Sequence, residues 1–318
     1  MRRLDPVRIP LTCSMTAPTL PAQIDVIVRD WLNANQIVLR GREGNVLIDS
    51  GYVTRAATTL ALVGDRLKGA RIDMLVNTHC HSDHMGGNAA IQGTYGCVTL
   101  IPVAEAASVR AWDERALWID YTGQQAERFA VDEVLEPGQI YRWGELDWQM
   151  IAAPGHAAGA LVFWNPEERI LISGDALWER GFGLVMPEPG SALDDAQRTL
   201  EAIAALDPRV VIPGHGAPFT EVGAALERCF ARVQAARGNP VRLARQALKT
   251  MLAFILLDRG SLPLAGLPAF LQRVPFYREF NQRYVGLAPA ELAEQLVSEL
   301  ERSGAAHRQG GQLIGGAR

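Results

Sequence analysis

Apolar residues fall into short runs that end in glycine-rich turns over the first three quarters of the chain, and into longer helical stripes after that. Two runs, Asn35 to Arg40 and Asn45 to Asp49, flank Gly41-Arg42-Glu43-Gly44 and predict a β-hairpin closed by the turn Asp49-Ser50-Gly51. Thr54 to Leu67 carries apolar residues at Ala57, Leu60, Ala61 and Leu67 and predicts a helix. Further runs predict strands at Asp73 to Asn77, Cys97 to Ile101, Leu146 to Ala152, Leu161 to Trp164, Arg169 to Ser173 and Val210 to Ile212. A helix starts at Glu105 to Arg110, and another spans Leu193 to Leu206, with Asp194 and Asp195 in the first turn where the helix dipole favours them. The stretch Trp112 to Glu136, with Trp112, Trp118, Tyr121 and Phe129 among charges, reads as an aromatic helix pair packed on the core, with a substrate lid as the alternative.

Residues 1–22 form an irregular lead-in interrupted by Pro6, Pro10, Pro18 and Pro21. Gly238-Asn239-Pro240 marks a boundary. Beyond it, Val241 to Asp258, Leu264 to Val274 and Pro289 to Arg302 predict helices, and Gly310-Gly311-Gln312-Leu313-Ile314 a short ribbon. The organisation expected is a unit over residues 1–239 and a C-terminal helical module over 240–318, winged-helix-like in outline. Aromatics at Pro275-Phe276-Tyr277 and Phe280 to Tyr284 suit the module's core, or else a wall facing substrate.

Composition narrows the class. With 48% hydrophobic and 21% charged residues, the 318-residue chain is an ordinary globular protein. Residues 1–239 carry a net charge of −8 and residues 240–318 one of +4, so no basic stripe recommends a nucleic-acid partner. Only Lys68 and Lys249 are lysines, which argues against a lysine nucleophile. Cys13, Cys80, Cys97 and Cys229 are scattered without a CxxC pair, as free thiols of a reducing compartment would be. No signal peptide and no membrane span is recognisable, and the run Met251 to Leu257 is far too short for one. A cytoplasmic protein is the expectation.

The chemistry concentrates in Thr78-His79-Cys80-His81-Ser82-Asp83-His84-Met85-Gly86-Gly87, directly after the run Met74-Leu75-Val76. On a strand His79 and His81 point to the same side and can converge on one ion, while Cys80 points away into packing. Gly86-Gly87 would let the backbone turn tightly, and Asn88 would cap the element that follows. Of the six histidines, two more sit in Pro154-Gly155-His156 and Pro213-Gly214-His215-Gly216, which leaves only His307 outside such turns.

At these residues the chain resembles the metallo-β-lactamase superfamily. The motif HxHxDH at 79–84 is followed in order by His156, by Asp175 in Ser173-Gly174-Asp175-Ala176, and by His215. The resemblance covers roughly residues 25 to 230 and implies an αββα sandwich with metals at one edge. It implies one metal position held by His79, His81 and His156, a second by Asp83, His84 and His215, and Asp175 bridging them. Asp49 would support the ligands from beneath. Two divalent ions would occupy the site, zinc first, with iron or manganese also compatible with nitrogen and oxygen ligands.

The function expected is hydrolysis of a small ester, thioester or lactone through a metal-bound hydroxide, with Asp83 and Asp175 in catalytic roles. A site of net charge +1 would attract an anionic small-molecule substrate. The bridging carboxylate points to the glyoxalase II and lactonase branch, although two lysines offer little for recognition of glutathione. Trp178, Arg180, Phe182 and Tyr52 are candidates to line the cleft. The alternatives are a persulfide dioxygenase-like enzyme with one iron, a phosphodiesterase or nucleic-acid-processing hydrolase, and a regulator whose site has lost turnover. Whether the chain forms a homo-oligomer stays open.

Overall fold

The computed structural model describes residues 18–186 and 192–316. Most of the lead-in, Cys13 among it, lies outside the described residues. Two sheets are stacked face to face. The first runs in the order β1 (Ile24–Ile27), β2 (Gln36–Gly41), β3 (Gly44–Ile48), β4 (Met74–Val76), β5 (Val98–Pro102), β6 (Glu133–Leu135). Its β1–β2–β3 portion is antiparallel and its β3–β4–β5–β6 portion parallel. The second runs β11 (Val210–Pro213), β10 (Ile170–Gly174), β9 (Leu161–Asn165), β8 (Leu146–Ala152), β7 (Ile140–Trp143), with only β10–β11 parallel.

The period of two along each strand explains the layers. Ile37, Leu39, Val46, Ile48, Val76 and Leu100 face inward from the first sheet and meet Trp148, Met150, Phe163, Ile170, Ile172 and Ile212 of the second. The alternate residues Val38, Leu47 and Leu75 pack outward under α1 (Ala56–Leu67) and α3 (Asn88–Tyr95). On the far side Val162, Trp164, Leu171 and Val211 are covered by α6 (Ala192–Leu206) and α7 (Val222–Arg237). The result is an αββα sandwich, as the resemblance implied.

Strands β1, β6 and β7, the one-turn α2 (Ser82–Met85) and α7 were not legible as separate elements. The expected helix pair at Trp112 to Glu136 is absent. After α4 (Val103–Ala111) the chain makes turns, the one-turn α5 (Ile119–Thr122) and then β6. Trp112 and Trp118 take left-handed backbone angles, φ 55° and 59°, and Gly123 follows at φ 77°, so no helix can run through.

The C-terminal helical module is present. It comprises α8 (Pro240–Arg259), α9 (Leu267–Arg273), α10 (Pro275–Phe280) and α11 (Pro289–Arg302), with a small sheet of β12 (Ser261–Pro263), β14 (Gln312–Gly315) and β13 (Ala306–Gln309). Asn239 caps α8 by accepting from the Arg242 amide, with Pro240 at the first helical position. The module has its own core, in which Phe276, Tyr277 and Phe280 are buried. Those aromatics are therefore packing and not a wall toward substrate. Among the described residues no helix is long and apolar enough to cross a membrane.

Trp148 is fully buried between the sheets, with its indole N–H donated to the Trp143 carbonyl at 3.1 Å. Trp148→Ala should lower unfolding free energy by about 3–5 kcal/mol, read from the denaturant midpoint of the variant against the parent.

Candidate metal centre

Strands β3, β4, β8, β10 and β11 all end at the same edge of the sandwich. The parallel pairs β3–β4 and β10–β11 share a direction, and β8 runs the same way as β10 because β9 is antiparallel to both. The turns after β4, β8, β10 and β11 carry His79 to His84, His156, Asp175 and His215. Short buried strands hold such turns rigidly, and irregular backbone beyond them leaves room for ligands.

All seven side chains come together in two groups. His79, His81 and His156 form one, and Asp83, His84, Asp175 and His215 the other; within each group the ligand atoms lie within 4.8 Å of one another. Asp175 joins them. Its Oδ2 is 3.4 Å from His156 Nε2, while its Oδ1 is 3.3 Å from His84 Nε2. Asp83 Oδ2 lies 3.2 Å from His215 Nε2. His81 Nδ1 and His156 Nε2 face each other at 2.8 Å. His307, on β13, is exposed and takes no part.

β4 stops at Val76, so His79 and His81 converge in a bent segment and not on a paired strand. The alternation holds nonetheless, because Cys80 is buried on the opposite side among Met85, Ile101, Ala106 and Val109. Gly86 and Gly87 serve differently from the expectation. Neither has a positive φ. A Cβ on Gly87 would instead sit 2.4 Å from the Ser50 carbonyl oxygen, so the requirement is for space. Asn88 does not cap its helix; it accepts from Ser50 Oγ at 2.6 Å and donates to Asn77 Oδ1 at 2.7 Å.

Asp49 organises the ligands. It is buried, at a left-handed φ of 57°. Its carboxylate accepts from the Thr78 amide and hydroxyl, each at 2.9 Å, and stands 2.8 Å from His84 Nδ1. With the Thr78 hydrogen given to Asp49, the Thr78 oxygen is left to accept from His79 Nδ1 at 3.2 Å. Both imidazoles are thereby fixed with Nδ1 protonated and Nε2 turned inward. His156 is fixed likewise by donating Nδ1–H to the Leu184 carbonyl at 2.8 Å. This is the arrangement by which outer groups orient metal-binding histidines.

The Nε2 atoms of His79 and His84 are buried and have no hydrogen-bond partner. Such orphaned atoms cost free energy unless something binds them. Burial and the neighbouring imidazoles hold His79 well below the usual histidine range, and burial with His156 pushes His81 down to about 3, so both keep free lone pairs. Burial also opposes a charge on His84, but Asp49, Asp175 and Asp83 outweigh it and raise that ring well above its ordinary value. Burial likewise disfavours ionised Asp83 and Asp175, yet the imidazoles around them, His84 foremost, bring both below the usual carboxylate range. The neutral imidazoles of His79 and His81, the ionised carboxylates, and a His84 ring whose surroundings favour positive charge fit a pair of cations.

A cavity of about 430 Å³ opens above this cluster. Trp178 and Phe182 line it as expected, and the Trp178 indole N–H reaches Asp175 Oδ1 at 3.2 Å. Arg180 is exposed and outside it. Tyr52 is buried and bonds Asp258 at 3.3 Å and the Gln125 amide at 3.0 Å. Three contributions had no clear signal in the sequence. Trp31 stacks on His215 at 5.5 Å, Trp118 stacks on His81 at 5.5 Å, and α8 supplies a whole wall through residues such as Met251, Phe254 and Leu257.

A protein from Methylococcus capsulatus named hydroxyacylglutathione hydrolase is 30% identical over 166 residues, 51% of this chain and 56% of the relative. Another hydroxyacylglutathione hydrolase, from Rhodospirillum rubrum, is 29% identical over 43% of this chain and 46% of its own. The chain thus spans about half the length of these curated relatives. Among solved structures, the metallo-beta-lactamase family protein TTHA1429 from Thermus thermophilus superposes with a TM-score of 0.58 at 23% identity, covering 94% of this chain and all of that one. TTHA1623, solved in a di-iron-bound form, gives a TM-score of 0.52 at 26% identity over 64% of this chain and 98% of its own. The family profile of the metallo-beta-lactamase superfamily matches residues 29–215, so the chain belongs to that superfamily.

Proposed function

We propose that the protein is a binuclear metal-dependent hydrolase acting on a small ester, thioester or lactone. The observation that carries this reading is the division of Asp175, one carboxylate oxygen toward each histidine group. A single ion would leave one oxygen and one group idle. His79, His81 and His156 would hold the first cation, Asp83, His84 and His215 the second, and Asp175 both. When bound, such a pair supplies Lewis acidity toward a substrate carbonyl and lowers the pKa of water toward neutrality. Zinc suits these donors, and the di-iron form of TTHA1623 makes iron the next candidate.

The chain's own groups then do the following. Asp83 lines the cavity and stays ionised, so it can orient an attacking water and hold its proton. Water adds to the acyl carbon, the bond to the alcohol or thiol breaks, and the proton held by Asp83 passes to the leaving group. Trp178 fixes Asp175 through its indole N–H. Trp31 and Trp178 close around His215 and limit its access to bulk water. The division of the chain that accompanies this reading is a catalytic unit over 1–239 and a C-terminal module over 240–318. The relatives named hydroxyacylglutathione hydrolase favour a thioester among these substrates.

Freshly purified protein should contain about two metal ions per chain by elemental analysis. Asp175→Ala and Asp83→Ala should each reduce hydrolysis of a responsive ester by at least about 1,000-fold while circular dichroism stays unchanged. One iron per chain with substrate-dependent oxygen uptake would replace this reading with that of an oxidoreductase. Asp49→Asn, which tolerates the left-handed backbone, should weaken metal affinity by roughly 10- to 100-fold in competition with a chelator.

A further inference from the structure

The wall of the cavity opposite the metal cluster is one face of α8. Gln246, Thr250, Ala253, Phe254 and Leu257 recur at helical spacing along it and line the cavity, while Ala247, Leu248, Leu252, Ile255 and Leu256 face the module's own core. Trp118, Phe182 and Leu184 complete an apolar surround.

The polar groups on that surround are few, and each makes a bond within the protein. Gln246 donates to Thr250 Oγ1 at 3.1 Å. Gln124 accepts from the Ser82 hydroxyl. The cation in the lining, Arg232, lies 4.8 Å over the Phe182 ring and donates to the Phe182 carbonyl at 3.3 Å. Neither lysine is in the lining. An amide-rich or multiply charged carrier would lose water here and find few groups to replace it. A hydrocarbon chain would lose nothing.

We infer that the substrate carries a straight apolar acyl or alkyl chain that lies along the Ala253, Phe254 and Leu257 face of α8, so that the C-terminal module selects chain length. This rests on the hydrolase reading for the reaction but not for the ligand's chemistry. α8 is held in place for such a role. Asp258, at its end, accepts from Tyr52 Oη at 3.3 Å, Thr54 Oγ1 at 3.1 Å and Gln125 Nε2 at 3.1 Å, all from the metal-bearing part of the chain.

The test has two arms. In the first, neutral 1-alcohols from butanol to decanol are titrated into the protein as purified and followed by tryptophan fluorescence, since Trp31, Trp118 and Trp178 border the cavity. Each added methylene should tighten binding by roughly two- to fourfold until the chain outgrows the cavity. In the second, the metal-loaded enzyme is given p-nitrophenyl acetate, butanoate and octanoate, and kcat/KM should rise along the series. Phe254→Ala should lower the octanoate-to-acetate ratio at least fivefold. Ala253→Leu, which fills the cavity from the same face, should move the preferred chain to a shorter one. Ile140→Ser, on an exposed strand residue outside the cavity, should leave both profiles unchanged.

Alcohols that bind without chain-length dependence would overturn the inference. So would esters turned over with no chain preference, which would leave the hydrolase reading standing. Chain-dependent alcohol binding with no turnover of any ester would do the reverse: the ligand assignment would stand and the hydrolase reading would fall.

Discussion

The site depends on one buried carboxylate. Among the described residues no lysine or arginine forms an ion pair with Asp49, so its desolvation must be offset by hydrogen bonds from the Thr78 amide, the Thr78 hydroxyl, the His84 ring and, at longer range, the Asn77 side-chain amide. That requirement runs in both directions. The donors stabilise Asp49, and Asp49 fixes where Thr78 and His84 stand and which nitrogen each imidazole presents. Because β3 and β4 pair in parallel, the end of β3 that carries Asp49 lies beside the end of β4 that carries the ligand loop. The sheet register, and not the local sequence of the loop, sets the separation between them. A left-handed residue at the exit of β3 turns the carboxylate back under the loop. Strain at that one backbone position is compensated by the bonds it enables.

The same constraint explains what could be read from the sequence. Each segment of the cluster follows a short apolar run, and His156, Asp175 and His215 sit directly beside glycine, because a buried strand must end abruptly to deliver a side chain at the sheet edge. Gly214 shows how tight this is: a Cβ there would lie 2.4 Å from Asp175 Oδ1. Apolar runs, breakers and histidines are all visible one residue at a time, so the strands and the histidine-bearing turns were legible, while the sandwich and the place of Asp175 came from the family resemblance. Asp49 was visible only through the resemblance, since an aspartate closing a hairpin looks like any turn residue.

What escaped the sequence was everything that depends on contact between distant segments. Trp118 looked like a core aromatic on a helix, but left-handed turns on either side release it to stack on His81. Trp31 lies in a polar loop yet rests flat on His215, with half its surface still exposed. Tyr52 follows the Asp49 turn and was a reasonable cleft residue; in the folded chain its hydroxyl turns to Asp258 instead. None of these placements has a local pattern, because each is decided by a partner more than 30 positions away.

The long apolar stretch within α8 becomes intelligible on the same terms. A helix that rests on one core shows a single apolar stripe, and a helix that is apolar around most of its circumference must be covered on more than one side. From Met251 to Leu257 there is not one charged residue, and the first to follow is Asp258. One side of this stretch fills the module's core, and the other borders the cavity over the metal cluster. The charge comes where the helix meets Tyr52, Thr54 and Gln125, and it is used there to bind the two parts of the chain together. Tyr52 stands close in sequence to Asp49, so the residue that anchors the apolar wall and the residue that orients the histidines belong to the same short turn after β3. The separation between this wall and the histidine–aspartate cluster is therefore set by a continuous piece of backbone.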